Sequence, residues 1–194
     1  LEGPFFQKLD LDFWAMPLSI LWIVGIINAI NLIDGLDGLA SGIALVILIT
    51  LSWLAHEMGK IELMLLMVVL IGSVVSFLSF NRPPASIFMG DSGSYFLGYL
   101  VAILSIWVCE KPNGTVSLFP LLILAVPIID TTFSIFRRYL KGIPFYSADK
   151  DHLHHRLLAK GLTPIRAVFI LSGFSIIYGS LALSSHYFPE IQSY

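Results

Sequence analysis

Six long apolar segments restrict the fold of this chain more than any other feature. They lie at roughly 16–33, 39–55, 61–80, 87–109, 116–136 and 167–188, and each approaches the ~20 apolar residues that a helix needs to cross a lipid bilayer. The 194 residues are 57% hydrophobic and only 12% charged, whereas soluble domains carry about 25% charged residues. The sequence therefore predicts an all-α, polytopic membrane helix bundle with about six transmembrane helices, forming a single domain over residues 1–194.

Local features refine this bundle. A short Asp-Gly turn separates the first two spans, which predicts an antiparallel pair of helices. The fifth span contains Pro127 and Asp130, so we expect a kink and a buried carboxylate there. Small residues allow helices to approach closely, and five glycines lie inside the spans at Gly72, Gly93, Gly98, Gly173 and Gly179.

The basic residues are distributed unequally between the two sides of the predicted bundle. One side receives the 34–38 turn, the 81–86 turn and the long 137–166 loop. It holds eight of the 11 Lys and Arg residues, namely Arg82, Arg137, Arg138, Lys141, Lys150, Arg156, Lys160 and Arg166. The positive-inside rule makes this side cytoplasmic. Three polar segments that are far apart in sequence are therefore predicted to meet at one cytoplasmic surface.

Two further counts exclude other classes of protein. The formal net charge is −2, and no basic stripe or stacking array accompanies it, so nucleic acid is not an expected partner. Cys109 is the single cysteine, which excludes disulfides within the chain.

The first polar segment contains two amides and two carboxylates at three-residue steps: Asn28, Asn31, Asp34 and Asp37. Asn and Asp favour turns and caps, so a purely structural turn is one interpretation. However, Asn28 and Asn31 fall inside the preceding apolar helix, where capping has no use for them. Polar groups at such positions are expensive in a membrane. We therefore favour a functional site, built where a helix break near Gly35 gathers these side chains.

The second polar segment is Met89-Gly-Asp91-Ser-Gly-Ser, at the start of the fourth span. Asp91 in a first helical turn would stabilise the helix as an acidic cap. A carboxylate flanked by glycines is also suited to Mg²⁺, because it leaves room for waters and phosphate oxygens. The two roles are compatible.

The third polar segment runs from Asp149 to Arg156 and holds three of the five histidines. A helix would place His152, His155 and Arg156 on one face, with His154 pointing elsewhere. Zinc would need four nitrogen or sulfur ligands, which the segment does not supply. A solvated charged loop is a second interpretation. We favour an anion clamp, with imidazoles and a guanidinium directed at phosphates or a sugar.

Two charged residues lie between these segments. Asp130 and Arg137 are seven residues apart, hence two turns along one helix face, with Arg138 adjacent. We expect them to form a structural ion network inside the bundle.

Taken together, these motifs resemble those of the polyprenyl-phosphate N-acetylhexosamine-1-phosphate transferases, which begin bacterial peptidoglycan, O-antigen and teichoic-acid intermediates. The segment from Asn28 to Leu39 matches the family's central motif, and Met89-Gly-Asp91-Ser-Gly-Ser matches its magnesium-binding motif. His152-Leu-His154-His155 is similar to the His-x-His-His form of transferases that use UDP-GlcNAc. Pro127-Ile-Ile-Asp130 and the Arg137-Arg138 pair also fit.

The resemblance implies a reaction and a set of partners. A HexNAc-1-phosphate, most simply GlcNAc-1-phosphate, passes from a UDP-sugar to undecaprenyl phosphate, and UMP is released. The expected setting is the bacterial inner membrane, with membrane lipid around the chain and the active site facing the cytoplasm. The expected cofactor is Mg²⁺, with Mn²⁺ as the alternative. The oligomeric state is not given by the sequence, and a homodimer is carried as an expectation.

The resemblance also implies roles for individual residues. The catalytic carboxylates are Asp34 and Asp37, and the metal is held by Asp91 with Asn31. The substrate-binding residues are Asn28, Asn31, His152, His154, His155 and Arg156.

In one respect the chain differs from the family. The family has about ten helices and an Asp-Asp pair in an early cytoplasmic loop, but this chain has no Asp-Asp pair and begins with Leu1. We expect the six spans to be the last six of ten.

Two alternatives belong to other classes of protein. An intramembrane aspartyl protease needs two carboxylates, but it has no use for the histidine segment. An ion-coupled transporter predicts carboxylates at mid-membrane depth, whereas most of these lie at one end of the spans.

Overall fold

The computed structural model of the chain is an all-α bundle and describes residues 14–110, 117–142, 144 and 152–187. The predicted all-α, multi-pass membrane fold is confirmed. In chain order the helices are α1 (Ala15–Ile33), α2 (Leu39–Glu57), α3 (Ile61–Asn81), α4 (Gly90–Cys109), α5 (Phe119–Ile123), α6 (Ala125–Leu140), α7 (Leu153–Ala159) and α8 (Pro164–Tyr187).

Five of these helices are long and apolar enough to cross a membrane: α1, α2, α3, α4 and α8. The predicted fifth span, 116–136, is divided instead into α5, with five residues, and α6, with 16 residues. The predicted kink is therefore present, but it lies at Leu124. The cause is Pro127, whose ring would clash with the carbonyl oxygen of Ile123 in an unbroken helix.

The core of the bundle is built around α2. In the most apolar 18-residue stretch of α2, 67% of the residues are buried, whereas only 11% are buried in the corresponding stretch of α3. Helix α2 packs against α3 and α8, and α1 packs against α4 and α6. Ile43, Ile47, Leu48 and Leu51 of α2 are all fully buried in the main apolar cluster. The outer helices leave their apolar side chains exposed, as expected where lipid is the solvent.

Two of the predicted close helix contacts are present. A methyl group at Gly98 of α4 would lie 2.9 Å from the Cα of Ile27 in α1, and one at Gly179 of α8 would lie 2.6 Å from the hydroxyl of Thr50 in α2. In the described part of the chain, no atom lies within 4 Å of that position at Gly72 or Gly173. Among the described residues, Gly98 and Gly179 therefore set the spacing of helices, whereas a methyl group at Gly93 would meet the side chain of Met89, just before the same helix.

Chain connectivity brings three connections to the same end of the bundle. These are the α1–α2 turn, the α3–α4 loop and the segment that carries α7, which touch one another through side chains. Of the predicted 137–166 loop, residues 143 and 145–151 lie outside the described residues.

Candidate active site

The α1–α2 turn is a tight reversal between two antiparallel helices. Asp34 is the C-cap of α1, and its N–H donates to the carbonyl oxygen of Asn31 at 3.2 Å. Gly38 precedes α2 with a φ of 77°, a left-handed conformation that glycine adopts without a Cβ penalty. Helix α1 ends between Asn31 and Asp37, and the side chains of both residues line one region at this end of the bundle.

A pocket of about 380 Å³ lies where this turn meets the α3–α4 loop. Both segments contribute acidic and amide side chains to it. Its lining is formed by Asn31, Asp34, Gly35, Leu36, Asp37, Asn81, Phe88, Met89, Gly90 and Asp91. The first and second polar segments of the sequence therefore share one pocket.

Asn31 connects the two segments directly. Its amide nitrogen donates to Asp91 Oδ1 at 3.2 Å and to Ser94 Oγ at 2.9 Å. The Ser94 hydroxyl in turn donates to the carbonyl oxygen of Asp91 at 3.2 Å. Asn31 thus orients the Asp91 carboxylate through its amide nitrogen. If Asn31 also binds a metal, the ligand atom would be its Oδ1.

Asp34 has a perturbed acidity in this pocket. Burial, followed by repulsion from the carboxylates of Asp91 and Asp37, raises the pKa of Asp34 to about 6. The charged form of Asp34 is therefore disfavoured unless a cation binds nearby or a neighbouring carboxylate is protonated. A carboxylate near pKa 6 is suited to exchange a proton at neutral pH.

The sign of this shift gives a testable pH dependence. Because the folded-state pKa exceeds the ordinary value of 3.8, the charge on Asp34 destabilises the fold progressively as pH rises from about 4 to about 6. We expect Asp34→Asn to raise the melting temperature in metal-free buffer more at pH 7 than near pH 4. A difference between the two proteins that is the same at both pH values would contradict the assignment.

Asp37, predicted as catalytic, makes a contact with the neighbouring loop. Its Oδ2 accepts the backbone N–H of Ala85 at 2.9 Å. The carboxylate therefore ties the α1–α2 turn to the α3–α4 loop, and it still lines the pocket.

Asn81 is a pocket residue that the sequence analysis missed. It is 3% exposed, at the last position of α3. Its Oδ1 accepts the N–H of Gly38 at 3.0 Å and the hydroxyl of Ser41 at 2.9 Å, and its Nδ2 donates to the carbonyl oxygen of Ile87 at 3.0 Å. An amide at the end of an apolar helix, next to Arg-Pro-Pro, was the available signal.

We expect Asn81→Ala to destabilise the protein by about 2 kcal/mol or more, because it leaves buried hydrogen-bonding groups without a partner. Ser79→Ala is the matched control, since the Ser79 hydroxyl is exposed and donates only to its own helix at Val75. Thermal unfolding in detergent compares the two variants. Equal melting temperatures would show that the Asn81 contacts are dispensable.

Asn28 is not brought into the pocket. Its amide nitrogen donates to the carbonyl oxygen of Val24, four residues earlier in α1, at 2.7 Å, and the residue is exposed. This back-bond satisfies a polar side chain within an apolar helix. The substrate-binding role predicted for Asn28 stays a prediction.

The histidine motif does not follow the helical face that its spacing predicted. His152 is the N-cap of α7, with extended backbone (φ −58°, ψ 158°), and the helix begins at Leu153. His152 and His154 are buried at 4% and 0% exposure, whereas His155 and Arg156 are exposed. The predicted shared face of His152, His155 and Arg156 is therefore wrong, because His152 precedes the helix.

His154 lies against the α1–α2 turn. A methyl group at Gly35 would overlap its imidazole ring. The ring is parallel to that of His152 (4° between planes, centroids 5.9 Å apart) and tilted against that of His155 at 4.2 Å. Burial, followed by repulsion from a protonated His155, lowers the pKa of His154 to about 4. His154 is thus neutral at physiological pH, and within the described part of the chain neither ring nitrogen has a hydrogen-bond partner.

Asp130 and Arg137 do share a buried polar network, as predicted, but its centre is His152. Asp130 Oδ2 lies 2.9 Å from His152 Nδ1, and Ser134 Oγ lies 3.3 Å from the same nitrogen. Arg137 Nη2 donates to Ser134 Oγ at 3.0 Å. The network therefore joins α6 to α7.

The residues of the pocket fit a hard cation whose coordination is completed by substrate. No three His, Cys, Asp or Glu side chains in residues 14–110, 117–142, 144 and 152–187 form a metal site by themselves. Mg²⁺ does not require such a cage, because proteins hold it through one or two carboxylates, with waters and substrate phosphates. Asp91 is oriented by Asn31 and repels Asp34, and a cation between these carboxylates would remove that repulsion.

Comparison with known proteins agrees with the geometry. Over 182 residues, 92% of this chain, the sequence is 47% identical to a probable undecaprenyl-phosphate N-acetylglucosaminyl 1-phosphate transferase of Bacillus subtilis, covering 51% of that protein. Similarity extends to an undecaprenyl-phosphate alpha-N-acetylglucosaminyl 1-phosphate transferase of Thermotoga maritima (32% identity over 116 residues, 60% of this chain and 38% of the relative). It also extends to a decaprenyl-phosphate N-acetylglucosaminephosphotransferase of Mycobacterium leprae (39% over 116 residues, 54% and 29%).

The chain spans about half the length of the Bacillus subtilis relative and less of the other two. Residues 1–109 match the family model described as glycosyl transferase family 4. This match includes the α1–α2 turn and Asp91, which together form the pocket. The chain belongs to glycosyl transferase family 4.

Proposed function

We propose that this protein transfers GlcNAc-1-phosphate from UDP-GlcNAc to undecaprenyl phosphate, forming a lipid-linked diphosphate sugar and releasing UMP. The observation that carries the proposal is the shared position of Asp34, Asp91 and His154 at one end of an apolar bundle. The names of the relatives supply the donor and acceptor classes. A membrane-end site suits an acceptor whose chain stays in lipid while its phosphate reaches water.

The reaction exchanges one phosphorus–oxygen bond for another. An oxygen of the lipid phosphate attacks the β-phosphorus of the nucleotide sugar, and the bond from this phosphorus to the oxygen shared with the α-phosphate breaks. UMP carries that oxygen away. Positioning and charge neutralisation dominate such reactions, so the site has to hold three phosphates together.

The residues divide this work between them. Asp91, with Asn31 Oδ1, would hold Mg²⁺ or Mn²⁺, which would supply positive charge to the diphosphate oxygens. Asp34 positions the attacking phosphate and takes up a proton when that phosphate arrives protonated. Asp37 and Asn81 hold the two pocket walls together. The exposed His155 and Arg156 would contact phosphate or sugar, and the buried His154 packs against the α1–α2 turn beside them.

The proposal also includes location and assembly. Arg82, Arg137, Arg138, Arg156 and Lys160 lie at the pocket end of the bundle, so the positive-inside rule directs the pocket to the cytoplasm across a bacterial inner membrane. We propose that α1 to α8 act as one membrane-embedded unit, with the 137–166 segment as its cytoplasmic loop. The homodimer remains an untested prediction.

The two alternatives gain no support. The carboxylates Asp34, Asp37 and Asp91 lie at helix ends or in turns, whereas an ion-coupled transporter needs them at mid-membrane depth. The family model that matches residues 1–109, which include the pocket carboxylates, is a glycosyl transferase model, and this favours a transferase over a protease.

The test is release of UMP by the full-length protein in detergent. We expect release only when UDP-GlcNAc, undecaprenyl phosphate and Mg²⁺ are all present, and EDTA should abolish it because charge neutralisation is lost. Replacing the donor by UDP-GalNAc measures donor selectivity. Release without the lipid phosphate would contradict the transfer reaction, and release in excess EDTA would contradict the metal assignment.

A further inference from the structure

Helix α7 is held at its start by one residue of another helix. It has only seven residues, which is too few for an isolated helix to be stable in water. Asp130 of α6 accepts the N–H of Leu153, the first residue of α7, through Oδ1 at 2.7 Å, and contacts Nδ1 of His152 through Oδ2 at 2.9 Å. Both oxygens of one carboxylate are therefore engaged by the start of α7.

This contact is buried on both sides. Asp130 is 2% exposed, His152 is 4% exposed and Ser134 is 1% exposed. A buried carboxylate is costly unless it is hydrogen-bonded, and removal of its partners leaves that cost unpaid. The arrangement therefore strongly favours one register of α7 relative to α6.

The contact also determines how the His152 ring is protonated. An ionised carboxylate can only accept a hydrogen bond, so a bond between Asp130 Oδ2 and Nδ1 at 2.9 Å places a proton on that nitrogen and orients the ring. The His154 ring lies parallel to that of His152 and against Gly35, next to Asp34. Asp130 is thus connected to the α1–α2 turn through two neighbouring histidine rings.

We propose that Asp130 is a positioning residue for the histidine motif: it keeps a proton on His152 Nδ1 and fixes the register of α7, which holds His154 against the turn that carries Asp34. The kinetic part of this inference rests on the proposed transferase function. The spectroscopic part does not.

The spectroscopic test uses ¹⁵N-histidine NMR of the full-length protein in detergent, with His152 assigned by the signal lost in His152→Gln. We expect a protonated, pyrrole-type Nδ1 in the wild-type protein. In Asp130→Asn we expect Nδ1 to become pyridine-type, since the amide can donate to it. A pyridine-type Nδ1 in the wild-type protein overturns the proposal, and this measurement requires no folded Asp130 variant.

The kinetic test is a double-mutant cycle on kcat/KM for UDP-GlcNAc. Partners that orient a metal-ligating histidine typically contribute about 10–100-fold. Taking that as the scale for an oriented histidine here, we expect a loss of that size in Asp130→Asn and little further loss when His152→Gln is added. Independent, multiplicative losses would overturn the proposal. Thr131→Val is the matched control, because the adjacent Thr131 hydroxyl is buried and has no partner among the described residues.

The two parts separate the possible failures. If no UDP-HexNAc donor yields UMP, the proposed function fails and the NMR result alone decides the role of Asp130. If UMP is released but Asp130→Asn is fully active and correctly folded, the proposed function stands and the positioning role is wrong.

Discussion

Asp91→Asn is expected to lower the rate of UMP release by about two to three orders of magnitude, a typical cost of losing one preorganised charge-stabilising group in an active site. Asp91 is the carboxylate that Asn31 orients at 3.2 Å and that repels Asp34. The amide of Asn is neutral, so it weakens the attraction for a hard cation without changing the shape of the side chain. The loss should appear in kcat and in the Mg²⁺ concentration needed for half-maximal rate.

Folding should be little affected by Asp91→Asn, because the side chain lies in the first turn of α4 and can still accept from Asn31. Glu57→Gln is the matched control. It makes the same change of charge at the last residue of α2, at the opposite end of the helix from the pocket. A variant that loses melting temperature in proportion to activity, or one whose Mg²⁺ requirement is unchanged, would be inconsistent with a ligand role for Asp91.

Gly35→Ala is expected to have the second-largest effect. The added methyl group would overlap the imidazole ring of His154, and the ring has little room because it is fully buried. Overpacking of this kind typically costs about 1–3 kcal/mol. Since Gly35 lies next to Asp34 and lines the pocket, we expect a large loss of UMP release together with a lower melting temperature.

Gly25→Ala separates this clash from any general effect of replacing glycine in this region. Gly25 lies in α1, and no atom is within 4 Å of the added methyl group, so helix propensity should make the change neutral or stabilising. Adding His154→Ala to Gly35→Ala should restore much of the melting temperature but not the activity. A melting temperature that stays low after the ring is removed would contradict the proposed clash.

Much of the architecture follows from hydropathy, because a lipid solvent requires long apolar helices whose backbone groups are satisfied internally. Alternation of the loops then places the α1–α2 turn, Asp91 and the histidine segment at one end. The exact position of the break in the fifth span depends on a local steric effect. The ring of Pro127 would clash with the carbonyl oxygen four residues earlier, so α5 ends at Ile123.

The roles of individual polar side chains were less predictable. Asp37 and Asn81 are carboxylate and amide groups like their neighbours in sequence, but each bonds to a backbone group of the α3–α4 loop. Such partners depend on the conformation of the loop, and a loop has no sequence periodicity from which its conformation could be predicted. The face of His152 was misjudged for a similar reason, since helical spacing applies only after α7 has begun at Leu153.

The central claim is that segments far apart in sequence form one catalytic site, and a double-mutant cycle between Asp34 and His154 tests it most directly. UMP release is measured for wild type, Asp34→Asn, His154→Ala and the double variant, at saturating Mg²⁺ and undecaprenyl phosphate. Groups that act in one site should be coupled by about 0.5–3 kcal/mol, so the double variant should lose less than the product of the single losses. Single losses that multiply would contradict a shared site.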